Sequence, residues 1–189
     1  MAVSAERLPF ADRRRGSVEE PEVLTINAEG IYYRDLNRAL RKAVLEGAPE
    51  INVENVFGQR YIGTNLRHLV KLRISGTPGN DLGAFMDGPE IEVFGNAQDG
   101  VGNTMNSGEI VVRGNAGDVL AMSMRGGDIY VKGNVGYRCA IHMKAYGDKN
   151  PLVVIGGTSQ DFFGEYMAGG TVILFGLGLK PGESVSYTH

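Results

Sequence analysis

Ile91-Glu92-Val93-Phe94-Gly95-Asn96, Ile110-Val111-Val112-Arg113-Gly114-Asn115 and Ile129-Tyr130-Val131-Lys132-Gly133-Asn134 are one pattern written three times. Around them, Gly76, Gly95, Gly114 and Gly133 stand 19 residues apart, and Gly156 and Gly176 follow at looser steps of 23 and 20. Each glycine closes a short apolar run, from Leu72-Arg73-Ile74-Ser75 at the start to Leu152-Val153-Val154-Ile155 and Val172-Ile173-Leu174-Phe175 at the end. Ten residues after each of the first four glycines comes a methionine, at Met86, Met105, Met124 and Met143, and Met167 follows Gly156 by eleven. A large apolar residue held in phase over five cycles marks a repeat architecture, in which each unit buries its apolar side against its neighbours.

A 19-residue unit is too short for helix-pair repeats, which need more than about 30 residues. The residues four and two before each glycine are Leu, Ile or Val throughout, which is the period of a strand with one buried face. Two strand segments joined by Gly/Asn corners fill such a unit. The expected fold is therefore all-β, a single-stranded parallel β-helix in which each strand pairs with its equivalent one coil on, at about 4.8 Å. A leucine-rich repeat has a similar length, but its fixed Leu/Asn pattern is absent. Asn96, Asn115 and Asn134 suit the corners, since Asn tolerates left-handed backbone and stacked Asn side chains can ladder their amides. Small residues recur seven after the glycine, at Gly83, Gly102, Ala121 and Ala140.

The rest of the chain divides around this block. Residues 1–22 are polar and read as a disordered tail. Residues 23–50 hold a short strand, Val23 to Ile26, and a helix from Arg34 to Glu46 with Leu36, Leu40, Ala43 and Val44 on one face, ended by Gly47 and Pro49. That helix is placed to cap the N-terminal end of the solenoid. Residues 51–178 form the β-helix, with an irregular first coil from Ile51. Residues 179–189 read as a tail with no capping helix.

Composition narrows the function. Hydrophobic residues make up 42% of the 189, enough for a packed core, and the net charge of −3 with mixed signs gives no nucleic-acid or membrane surface. No apolar run reaches the ~18 residues of a membrane span, and the N-terminus has no signal-peptide core. With one cysteine, Cys139, no internal disulfide forms, and the cytoplasm is the expected compartment.

The chemistry-bearing residues are sparse. Glycine-rich turns lack the following helix and the Gly-Lys-Ser/Thr of a phosphate loop. Three histidines and one cysteine make no metal-ligand pattern, although Cys139 and His142 are three apart. No Gly-x-Ser-x-Gly elbow appears, and Cys139 reads as a buried, inert thiol. Glu90, Glu109 and Asp128, each fourteen after a glycine, should stack as a solvated acidic rim relieved by Arg125 or Lys132. We therefore expect no catalytic, cofactor or metal residue in this chain.

The outward strand positions are more informative. The residues three and one before each glycine run Arg73/Ser75, Glu92/Phe94, Val111/Arg113, Tyr130/Lys132, Val153/Ile155 and Ile173/Phe175. One outer face thus turns from polar to apolar along the axis, and large apolar patches mark interfaces. Val153, Ile155, Ile173 and Phe175 are the expected partner interface, the competing reading being a fold-back of the N-terminal segment over them.

The ordered runs Gly76-Thr77-Pro78-Gly79-Asn80-Asp81-Leu82-Gly83, Gly95-Asn96-Ala97-Gln98-Asp99-Gly100-Val101-Gly102-Asn103-Thr104-Met105, Met124-Arg125-Gly126-Gly127, Ile141-His142-Met143-Lys144 and Gly164-Glu165-Tyr166-Met167-Ala168-Gly169-Gly170 resemble the GXGXG domain. This is the C-terminal β-helix domain of the glutamate synthase large subunit, which also exists as a stand-alone polypeptide and in N-methylglutamate synthase. The resemblance covers roughly Ile51 to Gly178. It implies a right-handed β-helix and a non-catalytic structural role, docking and spacing glutaminase-like and FMN-binding synthase-like partner subunits. FMN and an iron–sulfur cluster would sit on those partners. Relatives usually add a further glycine-rich coil after the Gly176 position. The glycine-rich repeat subunit of formylmethanofuran dehydrogenase is similar to the same repeat and is the nearest alternative. A stand-alone ligand-binding or hydrolytic β-helix is the other.

Overall fold

The computed structural model describes residues 23–176. Its elements are β1 (Leu24–Asn27), α1 (Tyr33–Leu45), β2 (Glu50–Phe57), β3 (Lys71–Thr77), β4 (Asp87–Phe94), β5 (Ser107–Val112), β6 (Asp128–Val131), β7 (Leu152–Ile155) and β8 (Thr171–Leu174). The eight strands form one parallel sheet in chain order. Leu72 pairs with Ile91, Ile91 with Ile110 and Ile110 with Ile129, so the 19-residue period is the rise of one coil. This is the β-solenoid that the repeat predicts. Because β1 already pairs with β2, the sheet begins one strand ahead of Ile51.

The inward columns are the Leu/Ile/Val positions. Leu72, Ile74, Val93, Ile110, Val112 and Ile129 are sealed from solvent, as are Met86, Met105, Met124 and Met143. The methionines lie on the other wall of the same core, and the carbonyls of Met86 and Met105 accept the N–H groups of Asn106 and Arg125 one coil on, both at 2.9 Å.

That second wall is not a strand, contrary to the expectation of two strand segments per coil. It is a ribbon of overlapping turns with alternate residues in left-handed backbone. In one coil these are Asp81, Gly83 and Phe85, at φ 62°, 64° and 58°, and in a later one Val119, Ala121 and Ser123, at 52°, 58° and 53°. Asp81 and Phe85 donate forward to Asp99 and Asn103, while Gly83 donates back to Ile62, each at 2.8 Å. The wall is therefore hydrogen-bonded in both directions without strand geometry. The requirement for a small residue at its centre is steric: a Cβ on Gly83 would stand 2.7 Å from Cδ1 of Ile110. Ala121 and Ala140 meet the same limit with a methyl group, at the strain cost of left-handed backbone.

The corners carry a ladder of a different kind from stacked amides. Oδ1 of Asn96 accepts the backbone N–H of Asn115, and Oδ1 of Asn115 that of Asn134, each at 2.8 Å. Asn134 accepts in turn from Thr158. Asp99 and Asp118 repeat the device on the N–H groups of Asp118 and Tyr137 at 2.9 Å. Each rung gives a corner N–H an acceptor that the turn geometry denies it.

One helix covers the first coil. Leu36, Leu40, Ala43 and Val44 are buried, Asp35 and Lys42 complement its two ends, and Gly47 follows it at φ 91°. Asn37 Nδ2 donates to the Arg60 carbonyl at 2.9 Å and Arg41 to that of Thr64 at 3.0 Å, so α1 lies over the turn ribbon of the next coil.

The late register differs from the glycine count. Ile129 pairs with Val153 and Val131 with Ile155, and the N–H of Gly157, not Gly156, bonds the Gly133 carbonyl at 2.9 Å. Gly157 is thus the repeat glycine, and Gly176 bonds it in turn at 2.9 Å. The cause is a five-residue excursion, Tyr146 to Asn150, closed by a Tyr146–Lys149 antiparallel bridge. Measured from Gly157, the period returns to 19 and Met167 falls back to ten.

Candidate functional site: the outer face of the sheet

The outward residues of the strands form two columns. The register places Asn52, Arg73, Glu92, Val111, Tyr130, Val154 and Ile173 one above another. The second column carries Phe94, Arg113, Lys132 and Phe175 near the Gly/Asn corner. The first coils are bound by charge. Arg73 Nε donates to Glu50 Oε1 at 2.6 Å and its NH1 reaches Glu92 Oε2 at 3.4 Å. Arg113 Nε reaches the other Glu92 oxygen at 2.9 Å. Glu92 thus sits between two guanidiniums, its side chain only 14% exposed. Alternating charges down a column remove the like-charge repulsion that identical rungs would produce.

Beyond Glu92 the central column is apolar. Val111, Tyr130 and Val154 are half-buried, Ile173 is 42% exposed and Phe175 74%. Burial, then the Asp128 and Glu109 carboxylates, push the Tyr130 hydroxyl above its ordinary range, so it remains neutral. Among the described residues β8 is the last strand and pairs only with β7.

The four residues expected at the interface do not share this face. Ile173 and Phe175 point outward, as their spacing requires. Val153 and Ile155 are fully buried. The Tyr146–Asn150 excursion moves the register by one residue, and a one-residue shift exchanges the two faces of a strand. Val154 and the half-buried Leu152 take their place outside. The apolar gradient survives this correction because the run Leu152-Val153-Val154-Ile155 is apolar on both faces. The turn-forming residues Gly147 and Asn150 were the signal that the sequence offered for it.

The other candidates resolve simply. Glu90, Glu109 and Asp128 do pair in register. The cation near them is Lys71, 3.8 Å from Glu90, in place of the expected Arg125 or Lys132. Cys139 is wholly buried, and burial pushes its thiol far above the reactive range. His142 is exposed and stacks on Tyr166, with ring centres 5.1 Å apart. Among the described residues no three His, Cys, Asp or Glu side chains gather as metal ligands, and no helix is long and apolar enough to cross a membrane.

Residues 50–185 match the model of the GXGXG motif family. The chain belongs to that family, the one that contains the glutamate synthase C-terminal domain. It is also 52% identical over 163 residues to an uncharacterized protein of Methanocaldococcus jannaschii, a match that covers 84% of this chain. This chain spans 62% of the length of that relative. No solved structure matches. Within the GXGXG fold the family glycines have visible work: Gly117 and Gly136 stand where a Cβ would collide with Oδ1 of Asp99 and of Asp118, the acceptors of the corner ladder.

Proposed function

We propose that this GXGXG chain is a non-catalytic scaffold subunit of a glutamate-synthase-type complex. It docks the glutaminase-like and FMN-binding synthase-like subunits and fixes the distance between them. FMN and the iron–sulfur cluster belong to those partners, and the cytoplasm is the compartment in which they would assemble. The observation that carries the reading is the outer sheet face, ion-paired around Glu92 and apolar from Val111 to Ile173 and Phe175. The buried thiol of Cys139 and the wholly apolar interior support a structural over a chemical role. Burying Ile173 and Phe175 against a partner is worth about 1.5–3 kcal/mol each before association costs.

The test is to tag the full chain in its native host, purify it and identify the bound chains by mass spectrometry. Glutaminase-like and FMN-binding synthase-like chains support the proposal. Subunits of a formyl-transferring metalloenzyme would move the chain to the formylmethanofuran dehydrogenase type, and purification of the chain alone would remove the scaffold role.

A further inference from the structure

At the opposite end of the solenoid, where α1 meets the second coil, three tyrosines and two arginines are packed together. The Tyr33 ring lies 4.6 Å from that of Tyr32 and 5.7 Å from that of Tyr61. The Arg60 guanidinium stacks over both Tyr33 and Tyr61, at 5.1 and 5.6 Å, and that of Arg34 lies 5.8 Å from the Tyr33 ring. Arg34 Nε also donates to the Tyr33 hydroxyl at 3.2 Å. Asn37 fastens the cluster from beneath, its Nδ2 donating to the carbonyls of Tyr33 and Arg60 at 2.7 and 2.9 Å. The tyrosines are nonetheless open, Tyr32 at 58% and Tyr61 at 38%.

The charges of the cluster are unbalanced. Arg38 pairs with Asp35, Lys42 with Glu46, and Arg73 and Arg113 with glutamates. Among the described residues neither Arg34 nor Arg60 has a carboxylate within ion-pair reach, and Asp35, the acid nearest in sequence, is taken by Arg38. Stacking on rings holds a guanidinium plane in one orientation, which lowers the ordering cost of binding, and its fork matches a carboxylate. Tyr and Arg are also the residues that dominate protein interfaces.

We propose that the Tyr32/Tyr33/Tyr61–Arg34/Arg60 cluster is a second docking site and that its occupant is an acidic segment of a partner protein, with Asp or Glu carboxylates on the two guanidiniums. Two cations are too few for a nucleic-acid backbone, which takes roughly 6–10 phosphate contacts. The site deepens the scaffold reading and rests on it. From the turn position of Tyr61 through Asp81, Gly100, Val119 and Arg138 to Phe162 is five coils, or about 24 Å at the rung spacing of a sheet. One subunit would sit at each end of that length.

The probe is a fluorescent oligo-glutamate peptide, with binding to the full chain followed by anisotropy. Wild type should bind it saturably and lose affinity as salt rises from roughly 20 to 200 mM. The Arg34→Ala/Arg60→Ala variant should lose about tenfold while its unfolding midpoint stays at the wild-type value, and Lys132→Ala, exposed elsewhere, should bind as wild type. Unchanged binding by the double variant, no binding by wild type, or tighter binding of an oligothymidine would overturn the site. The Ile173→Asp/Phe175→Asp variant should bind the peptide normally, so a failure of the outer-face docking and a failure of this cluster are read separately.

Discussion

A single side chain decides little in this molecule unless it belongs to a column, and the four interface candidates show what the column is worth. Ile155 and Ile173 are chemically identical, yet one is sealed in the core and the other is 42% exposed. Ile155→Ala should therefore cost about 2–5 kcal/mol through the cavity that it leaves, whereas Ile173→Ala should cost under about 1 kcal/mol. Urea unfolding of the two variants reads the difference, and equal losses would mean that the register of β7 is wrong. The inward identity of Leu72, Ile91, Ile110 and Ile129 was legible from spacing alone, because each is followed by a polar or bulky outward residue and a glycine at fixed distance. Val153 and Ile155 were not legible. All four residues of their run are apolar, so the alternation carries no phase, and the adjacent Gly156-Gly157 pair offers two origins for the count.

At the scale of elements, the five residues from Tyr146 to Asn150 form the one irregularity in an otherwise constant stack of 19-residue coils from β3 onward. Their Lys149 lies back across the corner. Its Nζ donates to the Asn106 carbonyl at 3.1 Å and stands 3.6 Å from Asp87, which itself accepts from Ser107 at 2.6 Å. Deleting Tyr146–Asn150 restores the 19-residue step, so the shortened chain should keep β-rich circular dichroism and cooperative unfolding, with a modest loss from the missing Lys149 contacts. Aggregation or loss of cooperativity would show that the excursion is required for the coil to close. The same corner has a pH signature. The Ser107 hydrogen bond first, and then Lys149, hold the Asp87 carboxyl below its ordinary value of 3.8. A carboxyl depressed in the folded state contributes stability above its unfolded value and loses it as pH falls through the folded one. Ser107→Ala should therefore be less stable than wild type at neutral pH, and the gap should close as the pH drops below 3.8. A gap that widened in acid would reverse the assignment. The turn ribbon was the least legible element. Its residues do not alternate in polarity as a strand's do, and only the small residues at Gly83, Gly102, Ala121 and Ala140 announced that something other than a strand faced the core there.

At the scale of the whole molecule, a stack of identical coils is a ruler. Its interior is apolar from end to end, its corners are laddered by Asn and Asp oxygens, and its variation lies on the outside. The outer face begins as a Glu50–Arg73–Glu92–Arg113 ion chain and ends in Ile173 and Phe175. The tyrosine–arginine cluster occupies the other end. A rigid body with different chemistry at its two ends suits holding two partners apart. The most direct measurement of this claim is co-purification of tagged wild type and the Ile173→Asp/Phe175→Asp variant from the native host. We predict that the variant loses a partner protein that the wild type retains, while both show the same β-rich circular dichroism and the same unfolding midpoint. An identical set of partners on the two proteins would contradict the docking role of the outer face.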